Sequence, residues 1–221
     1  MVLTCRPVFD SNCGFRYYVV SDASYTTEIF MTFAIRSWIE AVWIAVGVFW
    51  AISAIGLKPV AKTQSAASRV GEIVYLILAG FLLFGVWPTT ELLNTRMFPQ
   101  TILAPRLGLL LTPAGAAIAI LARAFLGANW SGRVTIKEDH ELIRKGPYAF
   151  VRHPIYTGLL LAVIGTAIAF GQVRHAIAIP LTLRGFWLKL QEEERLLSEQ
   201  FGEEYLAYRR EVKGAIIPRI L

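Results

Sequence analysis

Apolar blocks of about twenty residues, separated by short polar segments, recur along the 221 residues of this chain and set the first limit on its fold. A helix of that length matches the hydrocarbon thickness of a bilayer, and backbone crossing lipid must satisfy its own hydrogen bonds, which a helix does. Composition agrees: 55% of residues are hydrophobic and mean hydropathy is +0.51, where soluble domains sit near 45–50% apolar. The chain reads as an all-α, polytopic integral membrane protein. It reads as one domain, because the loops between the blocks are too short to fold alone.

Five spans are expected, from about 30 or 38 to 57, 70 to 87, 106 to 126, 155 to 170, and from 176 through Arg184 and Lys189 to about 191. Residues 1–29 form an N-terminal tail, 30–126 carry spans one to three, and 127–221 hold a helical hairpin (spans four and five) and a C-terminal amphipathic helix. Leu197, Phe201, Tyr205 and Tyr208 recur at helical spacing in that last helix, which should break near Gly214. The loops after spans one and three and the C-terminal tail are the basic ones. Lys and Arg stay cytoplasmic, so the N-terminus lies outside and the C-terminus in the cytoplasm. The net charge of +6 suits this bias and anionic headgroups, and no nucleic-acid partner is read from it.

Smaller features fit the same picture. Arg36 and Glu40, four apart, share a helix face and can pair. Pro113, Gly115 and nearby alanines favour close helix contact or a kink, and the stripe Gly158, Ala162, Thr166 and Ala169 favours close helix contact. Arg123 can snorkel to headgroups. Cys5 and Cys13 precede the first span and are either a disulfide across a short loop, if that side is oxidising, or two thiols. No signal peptide is expected, since a basic start and small-residue cleavage site are lacking. Residues 1–28 show no strong period.

The polar text 140–158, HELIRKGPYAFVRHPIYTG, is the most unusual stretch. Pro147 and Pro154 restrict the residues before them, so Gly146 and His153 should be extended. Pro154 suits the first position of span four, which would set Tyr156 and Gly158 near the positive end of the helix dipole. That arrangement favours an anion, yet a basic interfacial cap has the same look. Further on, Glu192, Glu193 and Glu194 begin where span five leaves the membrane. Lys189 lies four residues before Glu193 on one helix face, and Arg184 lies deeper. An acidic run is usually a solvated face, but ionisable groups at membrane depth are costly and usually functional. His175 falls on the opposite side as an interface residue. His140 and His153 lack the spacing of a zinc site, so no metal is expected.

Together, GPYAFVRHPIYTG at 146–158 and EEERLLSEQFGEEYLAYRREV at 192–212, with Pro218 beyond, resemble the isoprenylcysteine carboxyl methyltransferase family and its phospholipid methyltransferase relatives. The resemblance covers the chain from about Trp130 onward. It implies S-adenosyl-L-methionine as methyl donor, held on the cytoplasmic side by His140, Glu141, Leu142, Ile143, Tyr148, His153 and Glu193. It implies an acceptor that enters from the bilayer, a prenylated or other lipophilic molecule, with Arg184 or Lys189 placing its carboxylate. Eukaryotic members usually have an arginine where this chain has Lys189, which lacks the bidentate fork. Carboxylate O-methylation needs no general base. Transfer to a lipid amine, thiol or phenol would need one, and Tyr148 or Glu194 would be candidates. A nicotinamide-dependent membrane reductase and a non-catalytic membrane scaffold are the more distant alternatives.

Overall fold

A computed structural model of the chain describes residues 4–10, 14–20, 22–55, 60–63, 66–85, 90–98, 103–127, 135–137 and 142–218. Strands β1 (Thr4–Asp10) and β2 (Gly14–Val20) pair antiparallel. The tail is thus more ordered than its lack of period suggests, because Val, Phe and Tyr favour a pleated pair whichever face they take. Cys13 and the hairpin's side chains lie outside the described residues, so the Cys5–Cys13 alternatives do too. Helix α1 (Asp22–Ser53) starts earlier than expected. It is followed by β3 (Val60–Thr63), α2 (Ala66–Phe84), the single turn α3 (Glu91–Asn94), α4 (Leu103–Leu126) and β4 (Thr135–Lys137). A 3-10 turn over Gly146–Ala149 leads to α5 (Pro154–Phe170), α6 (Val173–Phe201) and α7 (Glu203–Glu211). The architecture is helical, with two short antiparallel strand pairs as additions.

Two of these helices, over Phe33–Ser53 and Leu103–Leu126, are long and apolar enough to cross a membrane, and α5 is apolar over 17 residues. Large apolar side chains such as Ile44, Val48, Val74, Ile77, Leu107 and Leu110 point outward from α1, α2 and α4. An apolar exterior of that extent is what lipid contact requires.

The helices alternate in direction. At one end, Arg123 near the close of α4 donates to Gly127 O (2.8 Å) and to Ser53 O at the close of α1. Arg123 is 3% exposed, so it does not snorkel; its charge meets the negative ends of two helix dipoles. At the same end, β3 pairs with β4, tying the loop after α1 to the loop after α4. At the other end, Arg96 bridges Gln172, Met97 N donates to Gly171 O (2.9 Å) and Val173 N donates to Thr95 O (3.0 Å).

The tightest packing is between α4 and α5. A Cβ on Gly115 would run into the backbone of Ala162 and Gly158, and one on Gly165 into Thr112. Gly108 meets Gly165 and Ala169 in the same way. Trp43 of α1 joins this seam by donating Nε1–H to Thr166 Oγ1 (3.1 Å), and the Thr112 and Thr166 hydroxyls lie 3.4 Å apart. Interhelical hydrogen bonds between small polar residues are a recurring adhesive in lipid. His175 is fully buried and stacks on Phe170 (centroids 4.9 Å apart), so it is a core residue rather than an interface one.

Candidate active site

The polar end of the α5–α6 hairpin gathers the charged residues into one cluster. Pro154 starts α5 and His153 is its N-cap, with φ −126° and ψ 63°. Gly146 is not extended: its φ is +63°, and a Cβ there would strike the Phe125 ring. Glycine has access to the left-handed region that other residues avoid before proline, so the extended residue is Lys145 instead (φ −98°, ψ 164°).

The C-terminal segment closes over this loop. Arg152 N donates to Gly214 O (3.0 Å) and His153 N to Ala215 O (2.8 Å). Tyr208 Oη donates to Tyr148 O (2.7 Å), and Arg144 reaches both the carbonyl (3.0 Å) and Oε1 (2.8 Å) of Glu204. The tail helix ends at Glu211, close to Gly214 as expected, but it also breaks at Gly202 (φ +52°), which folds α7 back onto the loop. Leu142 packs with Tyr205, Tyr208 and Val212.

His153 sits between two carboxylates. Its Nδ1 is 3.2 Å from Glu193 Oε2 and its Nε2 is 3.4 Å from Glu194 Oε1. Nε2 is buried and makes no aligned hydrogen bond. Burial opposes charge on this imidazole, but the two carboxylates outweigh it and its pKa rises. Tyr156 Oη donates to Glu193 Oε1 at 2.6 Å. The Tyr156 ring stacks between His153 (5.6 Å) and Phe186 (4.9 Å), with Lys189 Nζ 5.9 Å from its centroid. Burial works against ionised Glu193, yet His153, Lys189 and Tyr156 together hold its pKa below the usual carboxylate value.

Glu194 is differently bound. Arg152 reaches Oε1 through both Nε and Nη2 (2.8 Å each), and Arg209 approaches Oε2 at 3.5 Å. Burial raises its pKa, but His153 and Arg152 dominate and bring it to about 2. Arg152 also donates to the Val212 and Lys213 carbonyls (2.7 Å each), so Glu194 anchors the C-terminal segment.

Of the residues expected from the sequence, His153 and Glu193 meet directly, and Tyr148 lies buried close enough to Glu193 for charge coupling. Lys189 joins them over Tyr156. Leu142 and Ile143 are partly buried on the covering loop, and Arg184 lies apart, its guanidinium 5.9 Å from the Tyr75 ring of α2. His140 and Glu141 lie outside the described residues. Sequence reasoning did not single out Tyr156 as a partner of Glu193, although its phenol in an RHPxY text was a signal. It also passed over Glu72 of α2, which is 4% exposed with a buried, unpartnered Oε2.

This donor set suits a cationic amino-acid ligand. Glu193 retains 24% side-chain exposure and free lone pairs for an ammonium. The fold thus sets helices of lipid-facing type beside a cluster of buried and half-buried charged side chains at one end. Residues 108–199 match the isoprenylcysteine carboxyl methyltransferase (ICMT) family, so the resemblance read from the motifs is borne out. The chain is 31% identical over 112 residues to a rice (Oryza sativa subsp. indica) protein named "Probable protein-S-isoprenylcysteine O-methyltransferase", a match covering 49% of this chain and 59% of the relative. It is 34% identical over 108 residues to the human protein-S-isoprenylcysteine O-methyltransferase, covering 48% of this chain and 38% of that one. The chain therefore spans less than two thirds of the length of these relatives. A solved structure of the eukaryotic intramembrane Ras methyltransferase ICMT aligns over 70% of this chain and 52% of its own, with 26% identity and a TM-score of 0.45.

Proposed function

We propose that this chain is an integral membrane S-adenosylmethionine-dependent methyltransferase that O-methylates a lipophilic carboxylate, of the isoprenylcysteine class that its relatives' names indicate. The observation that carries this reading is the convergence of His153 and Tyr156 on Glu193 at 3.2 and 2.6 Å, inside the stretch similar to the family. Helices α1, α2, α4, α5 and α6 are the five spans, the N-terminus is outside, and the polar end with the C-terminus is cytoplasmic. The alternation of helix ends and the basic loops at the polar end support this topology.

His140, Glu141, Leu142, Ile143, Tyr148, His153 and Glu193 hold the cofactor. When bound, it supplies an electrophilic methyl group, so the protein need only align, desolvate and orient. Glu193 neutralises an ammonium, and Tyr156 and His153 fix the rotamer in which it does so. Lys189 and Arg184 attract the acceptor carboxylate from the bilayer side. A carboxylate acceptor fits because Glu194, engaged by Arg152 and ionised down to about pH 2, is a weak base for an amine or phenol.

The test is calorimetric binding of S-adenosylmethionine to detergent-purified protein, with wild type beside Glu193→Ala. Wild type should bind, and the variant should bind at least about tenfold more weakly, the scale of one charge-assisted contact. Absence of binding to folded wild type would overturn the reading.

A further inference from the structure

Beyond α7 the chain runs as a strap with no regular structure of its own, yet Ala215 and Ile216 are only 3% and 1% exposed. Buried backbone needs hydrogen-bond partners, and the strap finds them on one short stretch at the start of α5. Arg152 Nη1 donates to the Val212 and Lys213 carbonyls (2.7 Å each), Arg152 N to Gly214 O (3.0 Å) and His153 N to Ala215 O (2.8 Å). Thr157 Oγ1 donates to Ile216 O at 2.5 Å. The successive carbonyls of 212–216 are thus all taken by Arg152, His153 and Thr157, and Thr157 holds the last of them.

The two ends of the strap serve different carboxylates. Its start is tied through Arg152 to Glu194. Its end meets the residues that set Glu193. The Ile216 side chain packs with Tyr156, Phe186 and Leu190, and Ala215 O holds the backbone of His153. Thr157 Oγ1 also lies 3.3 Å from His153 O. His153 and Tyr156 are the two groups that converge on Glu193. Removing the Thr157 hydroxyl would leave Ile216 O, a buried acceptor, without this donor, and the strap would gain by retreating toward water. We infer that Thr157 is a positioning residue: its hydroxyl pins the end of the strap, and the pinned strap keeps His153 and Tyr156 set on Glu193. This deepens the methyltransferase reading and rests on it for the cofactor used as a probe.

The experiment uses the detergent-purified full chain with isotope-labelled histidine and compares wild type with Thr157→Val and Thr157→Ser. It reads the calorimetric affinity for S-adenosylmethionine and the titration midpoint of the His153 ring by NMR, assigned by its loss in His153→Gln. That ring faces Glu193 and Glu194 of α6 and stacks on Tyr156 of α5, with Arg152 on Glu194 and Lys189 over Tyr156. In Thr157→Val the affinity should fall about fivefold, the scale of one neutral hydrogen bond. The midpoint should drop toward the ordinary histidine value as the ring leaves the two carboxylates that raise it. Thr157→Ser, which keeps the hydroxyl, should restore both. Thr182→Val, which removes a buried hydroxyl bonded to Ala178 O within α6, should change neither. If Thr157→Val fails to fold, Thr157→Ala takes its place. Wild-type affinity and midpoint in Thr157→Val overturn the inference and leave the methyltransferase reading standing. An affinity loss with an unmoved midpoint, one that Thr157→Ser does not reverse, or one that Thr182→Val shares is general loosening and also overturns it. Absence of S-adenosylmethionine binding to folded wild type overturns the methyltransferase reading, and the midpoint alone then decides the inference. A drop in Thr157→Val that Thr157→Ser reverses upholds it, and an unmoved midpoint overturns it.

Discussion

The α4–α5 seam and the polar mouth of α5–α6 share one helix but are built by opposite means. In the seam, Gly108, Gly115, Gly158 and Gly165 bring backbones together by having no side chain, and stability comes from dispersion over a close contact. At the mouth, Arg152, His153, Glu193 and Glu194 are long, charged and mutually dependent. Such a network contributes little over water when complete and costs much when one member is missing. The seam is a close-packed mount, and the mouth is a charged cluster. One helix serves both because α5 presents small residues toward α4 along its length, while its first turn carries Tyr156 into the cluster.

Three variants would break or sharpen that contrast. Gly115→Leu should have the largest effect, since a Cβ there meets the backbone of Ala162 and Gly158 rather than a movable side chain. More than about 3 kcal/mol of destabilisation is expected, read as loss of the folded, monodisperse protein in detergent. A variant that melts like wild type would show that the seam can spread.

Next, Arg152→Ala should cost about 3 kcal/mol, because Glu194, 12% exposed, loses its arginine partner. Its pH dependence carries the diagnosis. The Glu194 pKa is depressed in the folded state from 4.5 to about 2, so its contribution is present above pH 4.5 and is lost as pH falls toward 2. Removing Arg152 should move the acid limb of the stability curve upward. His153 acts in the opposite sense: its raised pKa gives stability that is full below its ordinary pKa and fades as pH rises through the raised value. Thermal unfolding across pH 2–9 in both proteins checks both limbs, and an unmoved acid limb would sink the assignment to Glu194.

Tyr156→Phe should be the mildest, at about 1.5–2 kcal/mol, the low end for one hydrogen bond to a charged group. Its ring stacking on His153 and Phe186 survives. Cofactor affinity should fall less than in Glu193→Ala; an equal fall would mean that the phenol itself contacts the ligand.

Much of this molecule is local, and what is local was legible. The apolar blocks locate α1, α2, α4, α5 and α6, because helix periodicity is a property of the segment itself, although α1 begins earlier, at Asp22, and α6 runs on to Phe201. Pro154 marks the start of α5, and the RHPxY and EEE texts mark two pieces of the charged cluster and carry the family resemblance. The pairing of Arg36 with Glu40 at 2.7 Å follows from spacing alone.

The rest depends on what arrives from far along the chain. No periodicity in α4 could reveal that Arg123 would find the end of α1 seventy residues away, where a buried cation is stabilised by two sets of carbonyls. The left-handed turns at Gly146 and Gly202 are set by Phe125 and by the need to fold α7 onto the loop. In the text, Glu193 and Glu194 are adjacent and alike. Only tertiary structure gives one a phenol and a histidine and the other an arginine, because helix rotation points neighbouring side chains in different directions. Glu72 looks like a stray charge in an apolar run until α2 packs on α6 and sets it opposite Gly185. Sequence determines which segments are apolar enough to enter a membrane because transfer free energy is a property of each segment. Tertiary structure decides which charges share a site because electrostatic partnership is a property of distance.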